Sequence, residues 1–184
     1  MLFKDTAIPD VKIVTPKKHG DARGFFSEVY KLSDWRAAGL DLAFVQDNHS
    51  FSAPAGTLRG LHFQTRPAAQ DKLVRVVRGA ILDVVVDIRR SSPTFGRHVA
   101  VELSAANWRQ LLVPIGFAHG FVTLEPDTEV LYKVTALYSP PHDRGLAWDD
   151  PDLGIDWPLP PGGPLLSDRD TRWPRLRDLA DAFA

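Results

Sequence analysis

Prolines and glycines interrupt this sequence so often that no long helix fits between them. The chain contains 15 prolines and 13 glycines in 184 residues, and the runs between them are rich in valine, phenylalanine, leucine and tyrosine. Such short runs, bounded by turn residues, are typical of antiparallel strands. The pattern predicts an all-β fold, a double-sheet jelly-roll barrel with a few short helices, rather than alternating strands and helices.

The predicted elements are nine strands and two short helices. The strands are GFFSEVY (24–30), AFVQDNHS (43–50), TLRGLHFQ (57–64), KLVRVVR (72–78), AILDVVVDI (80–88), RHVAVEL (97–103), QLLVP (110–114), AHGFVTL (118–124) and EVLYKVTALY (129–138). Gly79 separates two of these runs, which predicts a hairpin over 72–88. One helix is expected at 34–38, capped by Ser33 and ended by Gly39, and another over 175–183, opened by Pro174.

Composition narrows the class of protein. Lysine plus arginine (22) nearly balance aspartate plus glutamate (23), so no broad basic surface for nucleic acid or anionic membrane is expected. The chain has no cysteine, which excludes disulfides, thiolate metal sites and a cysteine nucleophile. No signal peptide or membrane span is recognised, so a cytoplasmic protein is expected. Residues 1–184 are interpreted as one domain, with an ordered loop over 139–164 held by Trp148 and Trp157.

Two stretches resemble the metal-site motifs of cupins, but with altered ligands. The segment 56–79 has the glycine and histidine spacing of the first motif, with His62 in place. Gln64 replaces the second histidine, and Lys72 stands where a cupin has glutamate. The second motif, P-x-G-x-x-H, is present in PIGFAHGF and ends at His119.

These replacements predict a pocket without a metal. A protonated lysine has no lone pair to donate, and its charge repels a divalent cation. The remaining groups, two imidazoles and an ammonium, suit proton transfer beside a developing oxyanion. Lys72 shares its strand face with Val74 and Val76, which favours an inward direction. Tyr132 shares a face with Val130 and Val134, and is either a packed core residue or a functional one.

Two arginines next to glycines are candidates for binding phosphate. The guanidinium of Arg23 or Arg59 can form paired hydrogen bonds with phosphate oxygens. Arg23 is equally consistent with a turn residue paired to a surface acid. Arg59 and His62 have opposite strand parity, so a bulge at Gly60 is required if both face one pocket.

At these residues the sequence resembles the dTDP-4-dehydrorhamnose 3,5-epimerases, which are cupin-fold enzymes. The resemblance runs almost from end to end. The segments that carry it are HGDARGFFSEVY, VQDNHSFSAPAGTLRGLHFQ, QDKLVRVVRGAILDVVVDIRRSSPTFG, LVPIGFAHGFVTL, DRGLAWDDPDLGIDWP and LLSDRD.

The resemblance implies a homodimer, without a cofactor, that inverts C3 and C5 of dTDP-4-dehydro-6-deoxy-D-glucose to give dTDP-4-dehydro-β-L-rhamnose. It implies that His62 is the base, Tyr132 the acid, Asp170 the carboxylate that orients His62, and Lys72 the cation beside the C4 carbonyl. The implied substrate-binding residues are Arg23, Glu28, Gln46, Asn48, Arg59, His119, Tyr138, Asp143 and Arg169. The sequence departs from the family pattern where Asp143 replaces glutamate and Arg169 replaces lysine.

Three alternatives stay open at this point. An epimerase that inverts only C3 or only C5 would keep the same residues. A non-catalytic sugar-nucleotide-binding cupin would need only the arginines and aromatic residues. A metal-dependent cupin oxygenase or isomerase would need an ion that the ligand pattern does not favour.

Overall fold

The fold is seen in a computed structural model, which describes residues 1–180 and 183. The strands are β1 (Leu2–Asp5), β2 (Lys12–Thr15), β3 (His19–Asp21), β4 (Gly24–Phe26), β5 (Gln46–Ser52), β6 (Leu58–Gln64), β7 (Lys72–Arg78), β8 (Ala80–Asp87), β9 (His98–Ser104), β10 (Gln110–Val113), β11 (Phe117–Thr123), β12 (Thr128–Val134) and β13 (Asp143–Gly145). One α-helix, α1 (Leu32–Ala37), and two 3-10 turns, Pro140–His142 and Leu176–Asp178, complete the described elements.

Two large antiparallel sheets form the barrel. One has the strand order β1-β2-β10-β7-β12-β5, and the other has the order β13-β6-β11-β8-β9. A separate two-stranded hairpin joins β3 to β4. This arrangement confirms the predicted all-β, double-sheet fold.

Alternation along each strand determines which side chains enter the barrel. Val74 and Val76 of β7 meet Ile81 and Val85 of β8 in the core between the two sheets. The opposite face of β8, with Val84 and Val86, packs under the loops of the C-terminal third. Because both faces of β8 are covered, its sequence is almost continuously apolar.

The predicted hairpin over 72–88 is wrong. β7 pairs with β10 and β12 in one sheet, whereas β8 pairs with β9 and β11 in the other. Gly79 is therefore the point where the chain crosses between sheets. It has φ of 74°, and a Cβ there would lie 2.3 Å from Thr128 Oγ1, so glycine is required by both conformation and space.

The helix predictions are only partly confirmed. Ser33 lies inside α1 rather than capping it, since the N-cap is Lys31 and makes no side-chain cap bond. Gly39 ends the helix as expected, with φ of 80° and its N–H bonded to Arg36 O.

No α-helix follows Pro174 in the described residues. Only Leu176–Asp178 form a 3-10 turn, and Phe183 instead makes a parallel bridge to Arg89. Leu176 and Leu179 are buried against the barrel, and this packing outweighs local helix preference. Residues 181, 182 and 184 of the predicted segment lie outside the described residues.

The first strands were not predicted, and GFFSEVY is a strand only over Gly24–Phe26. The segment 139–164 lies on the barrel as predicted, but it is not all loop, since Asp143–Gly145 form β13 at the edge of the five-stranded sheet. Trp157 is buried there and donates from Nε1 to Trp148 O at 2.9 Å. Among the described residues, none of the helical segments is long and apolar enough to cross a membrane.

Candidate active site

A cavity of about 700 Å³ opens between the two sheets. His62 on β6 and His119 on β11 face it from the five-stranded sheet, and Lys72 on β7 and Tyr132 on β12 face it from the six-stranded sheet. Its other lining residues are Ser50, Thr57, Leu58, Arg59, Phe121, Leu165, Leu166, Ser167, Arg169 and Asp170. The cavity thus brings together all four of the residues for which the sequence predicts a catalytic role.

A bulge in β6 places Arg59 and His62 on the same cavity. Arg59 lies opposite Phe121 and His62 opposite His119, so two residues of β6, Gly60 and Leu61, lie against the single residue Gly120 of β11. Gly60 occupies the bulge with φ of 137°, and a Cβ there would meet Gly120 Cα at 2.5 Å. The predicted change of parity at Gly60 is confirmed.

His62 is held by a carboxylate that comes from the C-terminal third of the chain. Its Nε2 lies 2.5 Å from Asp170 Oδ1. Asp170 is buried and also accepts hydrogen bonds from Ser167 Oγ at 2.9 Å and Trp173 Nε1 at 3.2 Å. Burial acts to raise the pKa of Asp170, but these hydrogen bonds, above all the one from His62, bring it below its usual value.

The orientation of this pair identifies the nitrogen of His62 that is available for chemistry. An ionised Asp170 is only an acceptor, so Nε2 carries the proton of the neutral imidazole. Nδ1 has no hydrogen-bond partner within residues 1–180 and 183. Burial lowers the pKa of His62, while the Asp170 carboxylate acts in the opposite direction. The neutral ring therefore offers a lone pair at Nδ1.

Lys72 is buried, as its apolar strand neighbours predicted. Its side chain crosses the barrel, and Nζ lies 3.3 Å from the backbone oxygen of His62. Burial lowers the pKa of Lys72 to about 8, with the charges of Asp143 and Asp83 acting to raise it. The ammonium is thus a concentrated, poorly hydrated charge near His62.

Tyr132 lies diagonally from Lys72 on the same sheet, opposite Val74 of β7 and Asn48 of β5. Burial raises the pKa of Tyr132 above its ordinary value, so the phenol is neutral near pH 7. Its hydroxyl makes no hydrogen bond to any other described residue. The ring packs against the barrel core, and the residue also lines the cavity.

A second histidine-carboxylate pair lines up His119, which the sequence analysis named, with Asp83, which it did not. His119 is buried in β11, and its Nε2 lies 2.9 Å from Asp83 Oδ1 on β8. Asp83 is fully buried, and its Oδ2 has no hydrogen-bond partner in the described structure. The available signal was an acid inside the apolar run AILDVVVDI, because an unpaired carboxylate is rarely buried.

A smaller lobe of about 250 Å³ adjoins the main cavity and shares His62, Lys72, Tyr132 and Arg169 with it. The predicted binding residues Gln46, Asn48, Tyr138 and Asp143 line this lobe. Gln64 also lines it and has a structural role that the sequence did not reveal. Its Nε2 donates hydrogen bonds to Ala68 O and Leu137 O, and its Oε1 accepts one from the Ser139 N–H. These bonds hold in place the loop that carries Tyr138.

Two predicted binding residues lie away from the cavity of their own chain. Arg23, at the tip of the β3-β4 hairpin, is exposed and pairs with Asp21 at 2.7 Å. Glu28 is half exposed and pairs with Lys31. Within a single chain, Arg23 is therefore a turn residue paired with a surface acid, the second of the two interpretations given for it above. Within the described residues, no group of three or more histidine, aspartate or glutamate side chains is arranged to hold a metal ion.

The sequence and the fold match one family throughout. The model of the dTDP-4-dehydrorhamnose 3,5-epimerase family matches residues 5–178. A dTDP-4-dehydrorhamnose 3,5-epimerase of Sinorhizobium fredii is 53% identical over 183 residues, which cover 100% of this chain and 93% of the relative.

Solved structures agree with the sequence comparisons. A dTDP-6-deoxy-D-glucose-3,5-epimerase of Legionella pneumophila, in complex with dTDP-4-keto-L-rhamnose, superposes with a TM-score of 0.92 at 43% identity, covering 97% of this chain and 94% of that one. A 3′-monoepimerase of Streptomyces bikiniensis, in complex with dTDP-quinovose, gives a TM-score of 0.87 at 37% identity and covers 94% and 87%.

Proposed function

Because the chain belongs to the dTDP-4-dehydrorhamnose 3,5-epimerase family, whose members are isomerases, we propose that it inverts C3 and C5 of dTDP-4-dehydro-6-deoxy-D-glucose. The product is dTDP-4-dehydro-β-L-rhamnose, a precursor in dTDP-L-rhamnose biosynthesis. One observation carries the proposal: a histidine and a tyrosine face one cavity from opposite sheets, with a buried lysine near them.

The chemistry begins with the acidity of the two carbons. C3 and C5 both neighbour the C4 ketone, so removing a proton from either gives an enolate whose charge lies mainly on the C4 oxygen. Of the lysine and arginine residues that line the cavity, Lys72 is the buried one, and its ammonium stabilises that oxyanion. Because the group is poorly hydrated and already in place, it costs little reorganisation when the charge develops.

Inversion requires a base on one face of the sugar ring and an acid on the other. His62 accepts the proton at Nδ1, while Asp170 keeps the proton on Nε2 and stabilises the imidazolium that forms. Tyr132 approaches from the opposite sheet and donates its phenolic proton to the other face of the enolate. Proton exchange with solvent then resets both groups, and no redox step is needed.

The nucleotide and the sugar are bound by the groups around the two lobes. Arg59, which donates to Ser52 Oγ and Phe51 O, presents a cation at the main cavity. Tyr138 is half exposed beside the smaller lobe and offers a ring on which thymine can stack. Further polar contacts to the substrate come from residues that line the two lobes, namely His119, Gln46, Asn48, Asp143 and Arg169.

We propose that the active unit is a homodimer in which the β3-β4 hairpin of each chain completes the cavity of the other. Arg23 and Glu28 lie outside their own cavity, and Phe25 and Phe26 of the hairpin are 55% and 68% exposed. Exposed aromatic residues next to an arginine are typical of a protein interface. In the partner's cavity Arg23 would bind the diphosphate.

A C3-only epimerase is the second candidate, because the S. bikiniensis 3′-monoepimerase has the same fold. The test is an NMR assay of dTDP-4-keto-6-deoxyglucose with the enzyme in D₂O. We expect deuterium and inversion at both C3 and C5, because one base serves both carbons. His62→Asn should lose exchange at both positions by about 10²–10⁴-fold.

The outcomes separate the candidates. Inversion at C3 alone would assign the chain to the second candidate. Binding of the substrate without any exchange would show a non-catalytic sugar-nucleotide-binding protein.

A further inference from the structure

Arg169 lies between an acid of the smaller lobe and the base of the main cavity. Its Nη1 forms an ion pair with Asp143 Oδ2, and its Nη2 lies 3.3 Å from Nε2 of His62. Asp143 is largely buried and also accepts a hydrogen bond from the Tyr138 hydroxyl at 3.2 Å. The guanidinium is therefore held in place from behind, with its second amino group directed at the imidazole.

The contact between Arg169 and His62 is not an ordinary hydrogen bond. Nε2 of His62 donates its proton to Asp170, so it has no lone pair left for a guanidinium donor. What remains is a positive charge beside an imidazole N–H. This arrangement is tolerable for a neutral ring and unfavourable for an imidazolium.

Several other groups act on His62, and their signs differ. Asp170, from the same loop as Arg169, favours the imidazolium, whereas Lys72 on β7 opposes it. His119 lies opposite His62 on β11, Tyr132 faces the cavity from β12, and β13 contributes Gly145 opposite His62 and Asp143 opposite Gln64. Among these groups, Arg169 is the cation whose atoms approach the ring nitrogen itself.

Building on the proposed function, we propose that Arg169 is a positioning residue that keeps His62 a neutral base in the ligand-free enzyme, by offsetting the charge of Asp170. This role is separate from any contact of Arg169 with substrate. The lowered pKa of His62, caused first by burial and in part by Lys72 and Arg169, is consistent with it. Asp143 serves as the anchor that sets the direction of the guanidinium.

The test is an NMR titration of the histidine side chains in ligand-free Arg169→Gln, with the His62 signal assigned from His62→Asn. The variant should raise the pKa of His62 by about 0.5–1 unit, since a charge at this distance in a solvent-accessible site has an effect of that order. The acid limb of kcat/KM should move to higher pH by the same amount. Arg169→Lys should restore both values toward those of the wild type.

Arg172→Gln is the matched control, because it removes the same charge from the same loop. Arg172 is exposed and donates to Asp168 O, so its loss should not shift the titration. An unchanged His62 titration in Arg169→Gln, with only KM raised, would overturn the proposal and leave Arg169 a substrate contact. A shifted titration in a protein without epimerase activity would support the charge effect while refuting the proposed function.

Discussion

Lys72 shows how one side chain acquires its chemistry from its position. An ordinary lysine on a strand extends into water, but this one shares the inward face of β7 with Val74 and Val76 and enters the barrel. Loss of hydration lowers its pKa to about 8. The residue is therefore charged at neutral pH but close to the point where the charge is lost.

This position predicts a pH limit on catalysis. Lys72 must be protonated to stabilise the enolate, so kcat/KM should fall as the pH rises through about 8. Lys72→Gln should lower the rate by about 10²–10³-fold and abolish that limb. Tyr132 cannot account for the limb, because burial raises its pKa above its ordinary value.

Lys133→Gln provides the control for the loss of a lysine charge. Lys133 lies on β12, is partly exposed and pairs with Asp47 at 2.7 Å. The pH dependence of kcat/KM in Lys133→Gln should match that of the wild type. A basic limb that persists unchanged in Lys72→Gln would assign it to another group.

Local sequence pattern predicts some features of the site and misses others. The inward direction of Lys72 and the bulge at Gly60 follow from local alternation, and both are found. The partnership of Asp83 with His119 spans 36 residues, so local pattern cannot reveal it. The structure places Asp170 beside His62, as the family resemblance implied, across 108 residues of chain.

At the scale of elements, the strands were easier to predict than their partners. The run 72–78 is a strand with the predicted bounds, because its alternation and flanking turns are local properties. Gly79 indicated a turn but not whether the chain would return to the same sheet or cross to the other. The prediction of a C-terminal helix was wrong for a related reason. The burial of Leu176 and Leu179 depends on the loop beneath them, which local pattern does not show.

The end of β8 carries a buried carboxylate that stabilises the turn after it. Asp87 is fully buried and accepts hydrogen bonds from Arg89, and from Ser92 Oγ and Thr94 Oγ1, both at 2.6 Å. Burial alone would raise the pKa of Asp87, but these hydrogen bonds lower it from 3.8 to about 2. The folded protein therefore holds the ionised form more tightly than the unfolded chain does.

This linkage predicts an acid-sensitive stability. The contribution, about 2 kcal/mol, is fully present above pH 4 and is lost as the pH falls toward 2. The wild-type free energy of unfolding, measured with urea at several pH values, should drop across this window by about 2 kcal/mol more than that of Asp87→Asn. Asp10→Asn removes an exposed partner of Arg89 and should change stability by less than about 1 kcal/mol.

The opposite result has a clear meaning. If Asp87→Asn shows the same acid dependence as the wild type, other carboxylates cause it, and the turn is stabilised by packing alone.

In the molecule as a whole, the β3-β4 hairpin stands out because contacts within one chain hold its strands but leave its tip exposed. Phe25 packs edge-on against Trp108 with the ring centroids 4.9 Å apart, and Lys18 lies 3.9 Å from the same indole ring. These contacts hold the base of the hairpin on its own barrel. The tip with Arg23 extends outward, where a second chain is proposed to receive it.

Mixed dimers test this arrangement. If the hairpin crosses, a dimer of one His62→Asn chain and one Arg23→Gln chain has one cavity with both native residues and one with neither. Its kcat/KM should reach roughly half of the wild-type value, well above either variant alone. If Arg23 acts within its own chain, every cavity has a defect, and the mixed dimer should show only the average of the two variants.

If His62 and Tyr132 act on opposite faces of the sugar, Tyr132→Phe in D₂O should separate proton removal from inversion. The substitution keeps the ring that packs in the barrel and deletes only the donor. His62 can still remove a proton and return a deuteron to the same face. NMR should therefore show deuterium entering C3 and C5 with retained configuration and little epimer. Inversion of both carbons at the wild-type rate would exclude Tyr132 as the acid and assign that role to another group or to water.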